Sequence, residues 1–279
     1  MKTTCQVCMH HCNLDIGQIG ICRARKNVDG VITCINYGQI TSMALDAIEK
    51  KPLHMFHPGS RILSVGSFGC NLRCPFCQNY EISMADRNMA ETRYLEPDAL
   101  VEIALQCKPQ GNIGVAYTYN EPLIGWEYVR DTAKRVRKAG MKNVLVTNGT
   151  IELSYAEEIL PYIDAMNIDL KGGNEAYYRK LGGNMHSTMA FIACAAKTSH
   201  IELTTLVVPG ENDDIREMEQ MAEWIASIGR ESGKEIPLHI TRFFPRYHMT
   251  DREATEIGSL HRLAQAAGKY LKHVFIGNC

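Results

Sequence analysis

The sequence predicts an α/β protein, a partial (β/α)6 TIM-like barrel with a small cysteine-rich, metal-binding module at its N-terminus. From about residue 60, short β-rich apolar runs alternate with longer amphipathic segments, which favours parallel strands joined by crossover helices. The 279 residues suffice for one large core with a small appendage. Residues 1–57 break the alternation and carry five cysteines. We therefore divide the chain into a module over residues 1–57 and a barrel over residues 58–279.

Six segments have the length and composition of barrel strands. They are Arg61–Val65, Asn112–Ala116, Asn143–Thr147, Ala165–Leu170, Ile201–Val208 and Pro237–Thr241. A last apolar run, His273–Ile276, closes or extends the sheet. Active sites of such barrels are built at the carboxyl ends of the strands, so polar residues at those ends are the candidates for function.

Helical spacing of apolar residues predicts helices between these strands. The predicted helices are Pro97–Cys107, Glu127–Lys138, Asp213–Ile228 and Thr250–Leu271. Gly140 favours the end of the second helix, because glycine commonly follows the last helical turn. We interpret the similar segments Lys171–Asn174 and Leu181–Asn184 as glycine loops.

Composition and charge narrow the class of protein. The 45% hydrophobic and 22% charged residues are ordinary for a soluble globular chain, and no apolar stretch reaches the roughly 18 residues of a membrane span. The 30 basic and 31 acidic residues leave a charge of −1, which disfavours a nucleic-acid partner. The N-terminus has no signal-peptide pattern, so we expect a cytoplasmic protein in which clustered thiols hold metal rather than form disulfides.

A loop with three cysteines directly follows the first predicted strand. Cys70, Cys74 and Cys77 have the spacing C-x3-C-x2-C. Three thiolates this close can hold three corners of a cubic iron-sulfur cluster and leave one iron free to bind a small molecule. The alternatives are a zinc site, which normally requires a fourth ligand, and buried free cysteines.

Four further cysteines lie in the N-terminal module. Cys5, Cys8, Cys12 and Cys22 have the spacing C-x2-C-x3-C-x9-C. Four thiolates suit either a structural zinc ion or a second iron-sulfur cluster, and His10 and His11 are spare ligands. The remaining cysteines, Cys34, Cys107, Cys194 and Cys279, are isolated in the sequence.

Polar residues stand at the ends of the later strands. Glu121 follows the second strand, Asn148 the third, and Asp169 with Lys171 the fourth, while His239 lies on the sixth. A ligand-binding barrel requires such residues there. The alternatives are a surface glutamate before Pro122, a surface ion pair, and a hydrogen-bonded core histidine.

The three-cysteine loop, with an aromatic residue before its third cysteine, resembles the signature loop of the radical S-adenosylmethionine (SAM) superfamily, and the likeness extends over residues 60–279. It implies a 4Fe-4S cluster held by Cys70, Cys74 and Cys77. In that family SAM chelates the unique iron, and its reductive cleavage produces a deoxyadenosyl radical that abstracts a substrate hydrogen. The resemblance also implies an electron donor such as flavodoxin or ferredoxin. The SAM-binding residues that it implies are Phe76, Gln78, Asn79, Glu121, Asn148, Asp169, Lys171 and His239.

The whole chain is most similar to the AmmeMemoRadiSam-system radical SAM enzymes, which are relatives of pyruvate formate-lyase activating enzyme. Matching segments include Gly17–Arg25, Lys51–Leu53, Cys77–Ser83, Asn167–Lys171 and Val208–Gly210. This likeness implies an oxidoreductase, with a glycine Cα of a partner protein as one candidate target. The alternatives are modification of a small molecule or RNA, and a non-catalytic iron-sulfur or zinc protein that carries electrons or scaffolds partners.

Overall fold

An eight-stranded sheet dominates the structure, a computed structural model that describes residues 2–279. The strands of the protein are β1 (Thr3–Thr4), β2 (Asn13–Leu14), β3 (Arg25–Val28), β4 (Val31–Cys34), β5 (Gln39–Ile40), β6 (Ser42–Ala47), β7 (Arg61–Gly66), β8 (Arg93–Tyr94), β9 (Asn112–Tyr117), β10 (Lys142–Thr147), β11 (Ala165–Asp169), β12 (His200–Val207), β13 (Leu238–Arg242) and β14 (Val274–Gly277). The α-helices are α1 (Tyr80–Ser83), α2 (Pro97–Gln106), α3 (Trp126–Lys138), α4 (Leu153–Ala156), α5 (Glu175–Lys180), α6 (Met185–Thr198), α7 (Ile215–Ser232) and α8 (Ile257–Ala267).

Seven parallel strands form the barrel wall. The strand order in the sheet is β6-β7-β9-β10-β11-β12-β13-β14, and only the pair β6 and β7 is antiparallel. Sheet neighbours that are parallel and successive in the chain require crossover connections, which α2, α3, α6, α7 and α8 help to supply. The predicted fold class is confirmed, and the run around His273–Ile276 extends the sheet as β14.

The two faces of each barrel strand carry different side chains, as the two-residue period of a strand requires. On β12, Leu203 is fully buried in the apolar core between the sheet and the helices. Its neighbours Glu202 and Thr204 point to the barrel interior, where Thr204 donates a hydrogen bond to Asn167 Oδ1 at 2.9 Å. The interior is therefore lined by polar groups that are buried and paired.

Residues 48–56 close the amino-terminal end of the barrel, and we call this segment the plug. Leu53 of the plug is fully buried. The backbone N–H groups of His54 and Met55 donate hydrogen bonds to the Glu202 carboxylate at 3.0 and 2.8 Å. The plug therefore leaves free space inside the barrel toward the carboxyl ends of the strands.

The N-terminal segment docks on the barrel through a buried arginine. The Arg25 guanidinium is bidentate to Glu127 of α3 at 2.5 and 2.6 Å, and its Nε donates to the Ile124 carbonyl oxygen at 2.7 Å. Strand β6 also belongs to the main sheet, although it precedes residue 58. The division of the chain after residue 57 stays a prediction.

The last helix is shorter than the predicted segment Thr250–Leu271 and ends at Ala267. The last helix begins at Ile257 and not at Thr250, because Thr255 donates its N–H to the Phe243 carbonyl and its hydroxyl to the Val207 carbonyl. These bonds tie the preceding residues to strand ends instead of to a helical turn. No helix within residues 2–279 is both long enough and apolar enough to cross a membrane.

The two glycine loops each lead into a helix. Asn174 accepts a hydrogen bond from the Tyr177 N–H at the start of α5, and Asn184 accepts one from the Ser187 N–H at the start of α6. Asparagine is a favoured residue at this position because its side-chain oxygen pairs with a free N–H of the first turn.

Candidate active site

A cavity of about 450 Å³ lies at the carboxyl ends of the barrel strands, above the plug. Side chains from the three-cysteine loop, from the plug and from the ends of β9 to β13 line it. The sequence-predicted residues among them are Cys70, Cys74, Phe76, Cys77, Gln78, Asn79, Glu121, Asn148, Asp169 and Lys171. The fold thus brings together groups spread over a hundred residues of chain.

The three-cysteine loop is held in place from both sides. Arg73 donates its backbone N–H to the Leu181 carbonyl at 2.8 Å, and His248 donates its own to the Pro75 carbonyl at 2.8 Å. Gly69 has a φ of +87°, and a Cβ added there would lie 2.3 Å from the Cys22 carbonyl oxygen. Glycine is therefore required where the loop passes the N-terminal segment.

The donor set of this loop fits an iron-sulfur cluster. All three cysteines are free thiols that line the same cavity. Burial raises the pKa of Cys74 to about 11 and raises the pKa of Cys70 well above its ordinary value. Such thiols lose their protons when they bind metal. Two donors already face Cys70 Sγ, the Leu72 N–H at 3.3 Å and the Asn148 side-chain amide at 3.8 Å.

Glu121 is buried at the cavity wall, so it is not a surface glutamate. Its carboxylate accepts hydrogen bonds from the Leu123 N–H at 2.9 Å, the Thr147 hydroxyl at 2.7 Å and the Asn148 N–H at 2.8 Å. Burial raises the pKa of Glu121 to about 7, although these bonds favour the charged form. A carboxylate in this position is suited to an ammonium ligand.

Asp169 and Lys171 form a close ion pair at the end of β11, with Lys171 Nζ 2.6 Å from Asp169 Oδ2. The Lys171 side chain is 14% exposed and that of Asp169 is 32% exposed, so the pair is more buried than a surface ion pair. Burial alone would lower the pKa of Lys171, but the charges of Asp169 and Cys74 raise it. Lys171 is therefore a permanent cation in the cavity.

Four other predicted SAM contacts also line the cavity. Asn148 and Asn79 are fixed by hydrogen bonds to Asn71 Oδ1 at 3.0 Å and to the Tyr119 carbonyl at 2.7 Å, respectively. Phe76 is buried, and its ring is perpendicular to that of Phe243 in a T-shaped contact. These side chains, together with Gln78, reach the cavity.

His239 is absent from the cavity lining. Its Nε2 lies 2.7 Å from Glu202 Oε2, and its ring packs against His54 of the plug and against Phe275. The imidazole thus contacts the plug below the cavity, as a hydrogen-bonded core histidine does. Its role as a SAM contact stays a prediction.

Sequence reasoning did not identify Lys51 and Tyr119, which line the cavity, or Asp46, which pairs with both of them. Lys51 Nζ lies 2.8 Å from Asp46 Oδ2 and 4.6 Å from the Tyr119 ring centre, and the Tyr119 hydroxyl donates to the same carboxylate oxygen at 2.7 Å. Burial lowers the pKa of Lys51, against the opposing effect of Asp46. The signal was present in the segment Lys51–Leu53, but nothing local shows that a lysine beside a proline points into a barrel.

The four N-terminal cysteines surround a second, much smaller cavity. Cys5, Cys8, Cys12 and Cys22 line it together with His10 and His11. Burial raises the pKa of Cys8 to about 12. His10 Nε2 lies 2.8 Å from the Asn71 carbonyl oxygen, so this group of cysteines is next to the three-cysteine loop. Within residues 2–279, no three His, Cys, Asp or Glu side chains are already arranged as the ligands of one metal ion, so metal binding at either set of cysteines is inferred from the residue types and the shared cavities and not from ligand geometry.

The chain is similar to several known proteins. The family model described as Radical SAM superfamily matches residues 64–225, from β7 into α7. An uncharacterized protein of Methanocaldococcus jannaschii is 37% identical over 279 aligned residues, which cover 99% of this chain and 81% of the relative. Pyruvate formate-lyase 1-activating enzyme of Escherichia coli is 27% identical over 190 residues, which cover 65% of this chain and 75% of that enzyme.

A solved structure shares the fold. The crystal structure of Streptococcus suis SuiB bound to S-adenosylmethionine superposes with a TM-score of 0.58 at 15% sequence identity. The match covers 75% of this chain and 48% of that chain. At this level of identity the likeness concerns the arrangement of strands and helices.

Proposed function

The chain belongs to the radical SAM superfamily, and we propose that Cys70, Cys74 and Cys77 are the residues with which it holds the cluster of that family. It is a radical SAM enzyme, and its cofactors are a 4Fe-4S cluster and S-adenosylmethionine. One observation carries the assignment of residues: the three thiols, the Glu121 carboxylate and the Asp169–Lys171 pair line the same cavity. When bound, the cluster and SAM supply a 5′-deoxyadenosyl radical that abstracts a hydrogen atom from the substrate.

The residues of the chain bind and orient these groups. Glu121 is the candidate partner of the SAM amino group, because a carboxylate held by three hydrogen bonds is fixed in direction and attracts an ammonium. Lys171 offers a positive charge to the carboxylate of SAM, and Asp169 offers a negative charge to its amino group. Leu72 and Leu206 add apolar surface to the same cavity and help to exclude water from it.

For the substrate, we propose a glycine Cα of a partner protein. The relationship to pyruvate formate-lyase activating enzymes supports this choice. The net charge of −1 disfavours RNA as the substrate. We further propose that the protein works in the cytoplasm and receives electrons from a flavodoxin or ferredoxin. Cys5, Cys8, Cys12 and Cys22 are proposed to bind zinc or a second cluster, which would stabilise a segment of short strands.

The decisive experiment is anaerobic analysis of iron, sulfide and zinc, combined with EPR of the reduced protein with and without SAM. The comparison is between wild type and a variant in which Cys70, Cys74 and Cys77 are all alanine. We expect a SAM-dependent spectral change in the wild type that is absent in the variant. Zinc alone, without this signal, would instead indicate a non-catalytic metal-binding protein.

The substrate proposal needs a separate test. The reduced, reconstituted protein is incubated with SAM and a synthetic peptide that contains α-deuterated glycine, and the deoxyadenosine produced is analysed by mass spectrometry. Deuterium in deoxyadenosine supports abstraction from glycine. Deoxyadenosine formation without deuterium across a series of such peptides would contradict the glycine assignment but leave the radical SAM chemistry intact.

A further inference from the structure

Helix α5 packs directly on the three-cysteine loop. The Leu181 carbonyl that follows the helix accepts the Arg73 N–H, and a Cβ at Gly183 would lie 3.0 Å from Leu72 Cδ2. Tyr177 projects from this helix and is 2% exposed. It belongs to the same buried cluster as Leu72 and Cys74. Tyr177 and the second cysteine of the loop therefore lie in one buried cluster.

The hydroxyl of Tyr177 has no hydrogen-bond partner within residues 2–279. The next residue, Tyr178, is also buried, but its hydroxyl accepts the Lys171 N–H at 3.0 Å. Buried polar groups are nearly always paired, so an unpaired phenol among apolar side chains calls for a ligand or a change of state nearby. A phenol hydroxyl is a good donor, and the missing partner is an acceptor.

Cys74 is the one cysteine of the loop that is a buried member of this cluster, and it can become such an acceptor. As a thiol, Cys74 is a weak acceptor, but as a metal-bound thiolate it carries negative charge. Cys70 already receives hydrogen bonds from Leu72 and Asn148, whereas no hydrogen bond from another residue to Cys74 Sγ is found in residues 2–279.

We propose that Tyr177 donates a hydrogen bond to the Cys74 thiolate when the cluster is bound, and that this bond raises the reduction potential of the cluster. The inference rests on the proposed function, because it takes Cys74 as a cluster ligand. Reduction adds an electron to the cluster and increases the negative charge on its sulfur ligands. A hydrogen-bond donor stabilises that reduced form more than the oxidised form, which is how hydrogen bonds to sulfur tune such potentials.

The test is an EPR-monitored redox titration of the reconstituted full-length protein as wild type and as Tyr177→Phe. We expect the ratio of reduced to oxidised cluster at a fixed applied potential to fall roughly tenfold in the variant, equivalent to about 59 mV for one electron. Iron and sulfide content should equal those of the wild type. The matched control is Tyr128→Phe, another buried tyrosine, whose hydroxyl donates to the Leu95 carbonyl at 3.0 Å outside the cavity. It should leave the potential unchanged.

A second measurement separates this role from a structural one. In the metal-free protein the Tyr177 hydroxyl has no partner, so Tyr177→Phe should not lower the midpoint of urea unfolding, whereas Tyr128→Phe should lower it. An unchanged potential in Tyr177→Phe would overturn the inference and leave the cluster assignment standing. Failure of the wild type to assemble a SAM-responsive cluster would overturn the proposed function and this inference together.

Discussion

Glu121 Oε1 accepts a hydrogen bond from the Thr147 hydroxyl at 2.7 Å, which joins the residues that follow β9 to the end of β10 inside the barrel. The Asn148 N–H completes the contact by donating to the other carboxylate oxygen at 2.8 Å. A carboxylate that is fixed by its own chain before a ligand arrives loses little conformational freedom on binding. This pre-organisation is the basis of the first prediction.

Glu121→Gln is expected to weaken SAM binding by roughly 10- to 100-fold, because a hydrogen bond to a charged group contributes about 1.5–3 kcal/mol. Iron and sulfide content should not change, since Glu121 is not one of the three proposed cluster ligands. Equilibrium dialysis of labelled SAM against the anaerobically reconstituted protein measures the effect. Glu152→Gln, at a half-exposed carboxylate that pairs with His11, is the control. Equal SAM affinity in wild type and Glu121→Gln would show that the amino-group contact lies elsewhere.

The two groups of cysteines are predicted to be independent in metal content. Cys74→Ala should abolish the SAM-responsive EPR signal. Cys8→Ala should keep that signal and lose only the metal of the N-terminal site, together with some thermal stability of the N-terminal segment. Metal analysis and EPR of the two variants, prepared identically, distinguish the sites. Loss of the SAM-responsive signal in both variants to the same degree would contradict two separate centres.

The carboxyl group of Glu202 should make the free energy of unfolding depend on pH. Burial acts to raise its pKa, but hydrogen bonds from His200, His239 and the plug N–H groups lower it to about 2. A carboxyl whose pKa is lower in the folded state stabilises the fold above its unfolded pKa of about 4.3, and the contribution disappears as pH falls toward 2. The size is about 3 kcal/mol, from about 1.4 kcal/mol per pKa unit.

The corresponding measurement is the free energy of unfolding by urea between pH 7 and pH 2.5, for wild type and Glu202→Gln. The variant should be less stable at pH 7 and should lose less stability on acidification. If the free energy of unfolding fell equally with pH in the two proteins, another carboxyl would set the acid sensitivity.

Arg25→Met is expected to loosen the N-terminal segment from the barrel. The substitution removes the bidentate contact and leaves the Glu127 carboxylate, whose side chain is 25% exposed, without its partner. Loss of one member of a buried ion pair costs about 3–5 kcal/mol, and the partial exposure of Glu127 places the effect at the lower end. Limited proteolysis should cut the variant within residues 2–57 faster than wild type. Lys2→Met, at an exposed ion pair with Asp15, should behave as wild type.

The strands and the three-cysteine loop were predictable because their signals are local. Apolar β-branched runs mark β10 and β12, and the spacing of Cys70, Cys74 and Cys77 is read within eight residues. Helix α6 was not predicted, because it is rich in alanine, serine, threonine and cysteine. These small residues lie on several sides of the helix, so no clear apolar stripe identifies it in the sequence. Asn184 before it was the usable signal, since asparagine favours a helix start.

Pairings between distant parts of the chain were not predictable. The partner of His239 is Glu202, which is 37 residues away in the chain. Both residues contact His54 of the plug. Lys51 reaches the cavity only because the plug enters the barrel from below. Which side chains meet inside a barrel depends on how the sheet curves and on strand register, and a single sequence does not contain that information in local form.

The contact between Gly69 and the Cys22 carbonyl also limits how the protein can be recombined with its relatives. The two segments lie 47 positions apart and touch at a point that has no room for one more carbon atom. A chimera that imports the N-terminal segment alone, or the loop alone, would bring together two surfaces that were not shaped for each other. Productive exchange should require both segments to be transplanted as one unit, with the crossover point placed beyond the three-cysteine loop.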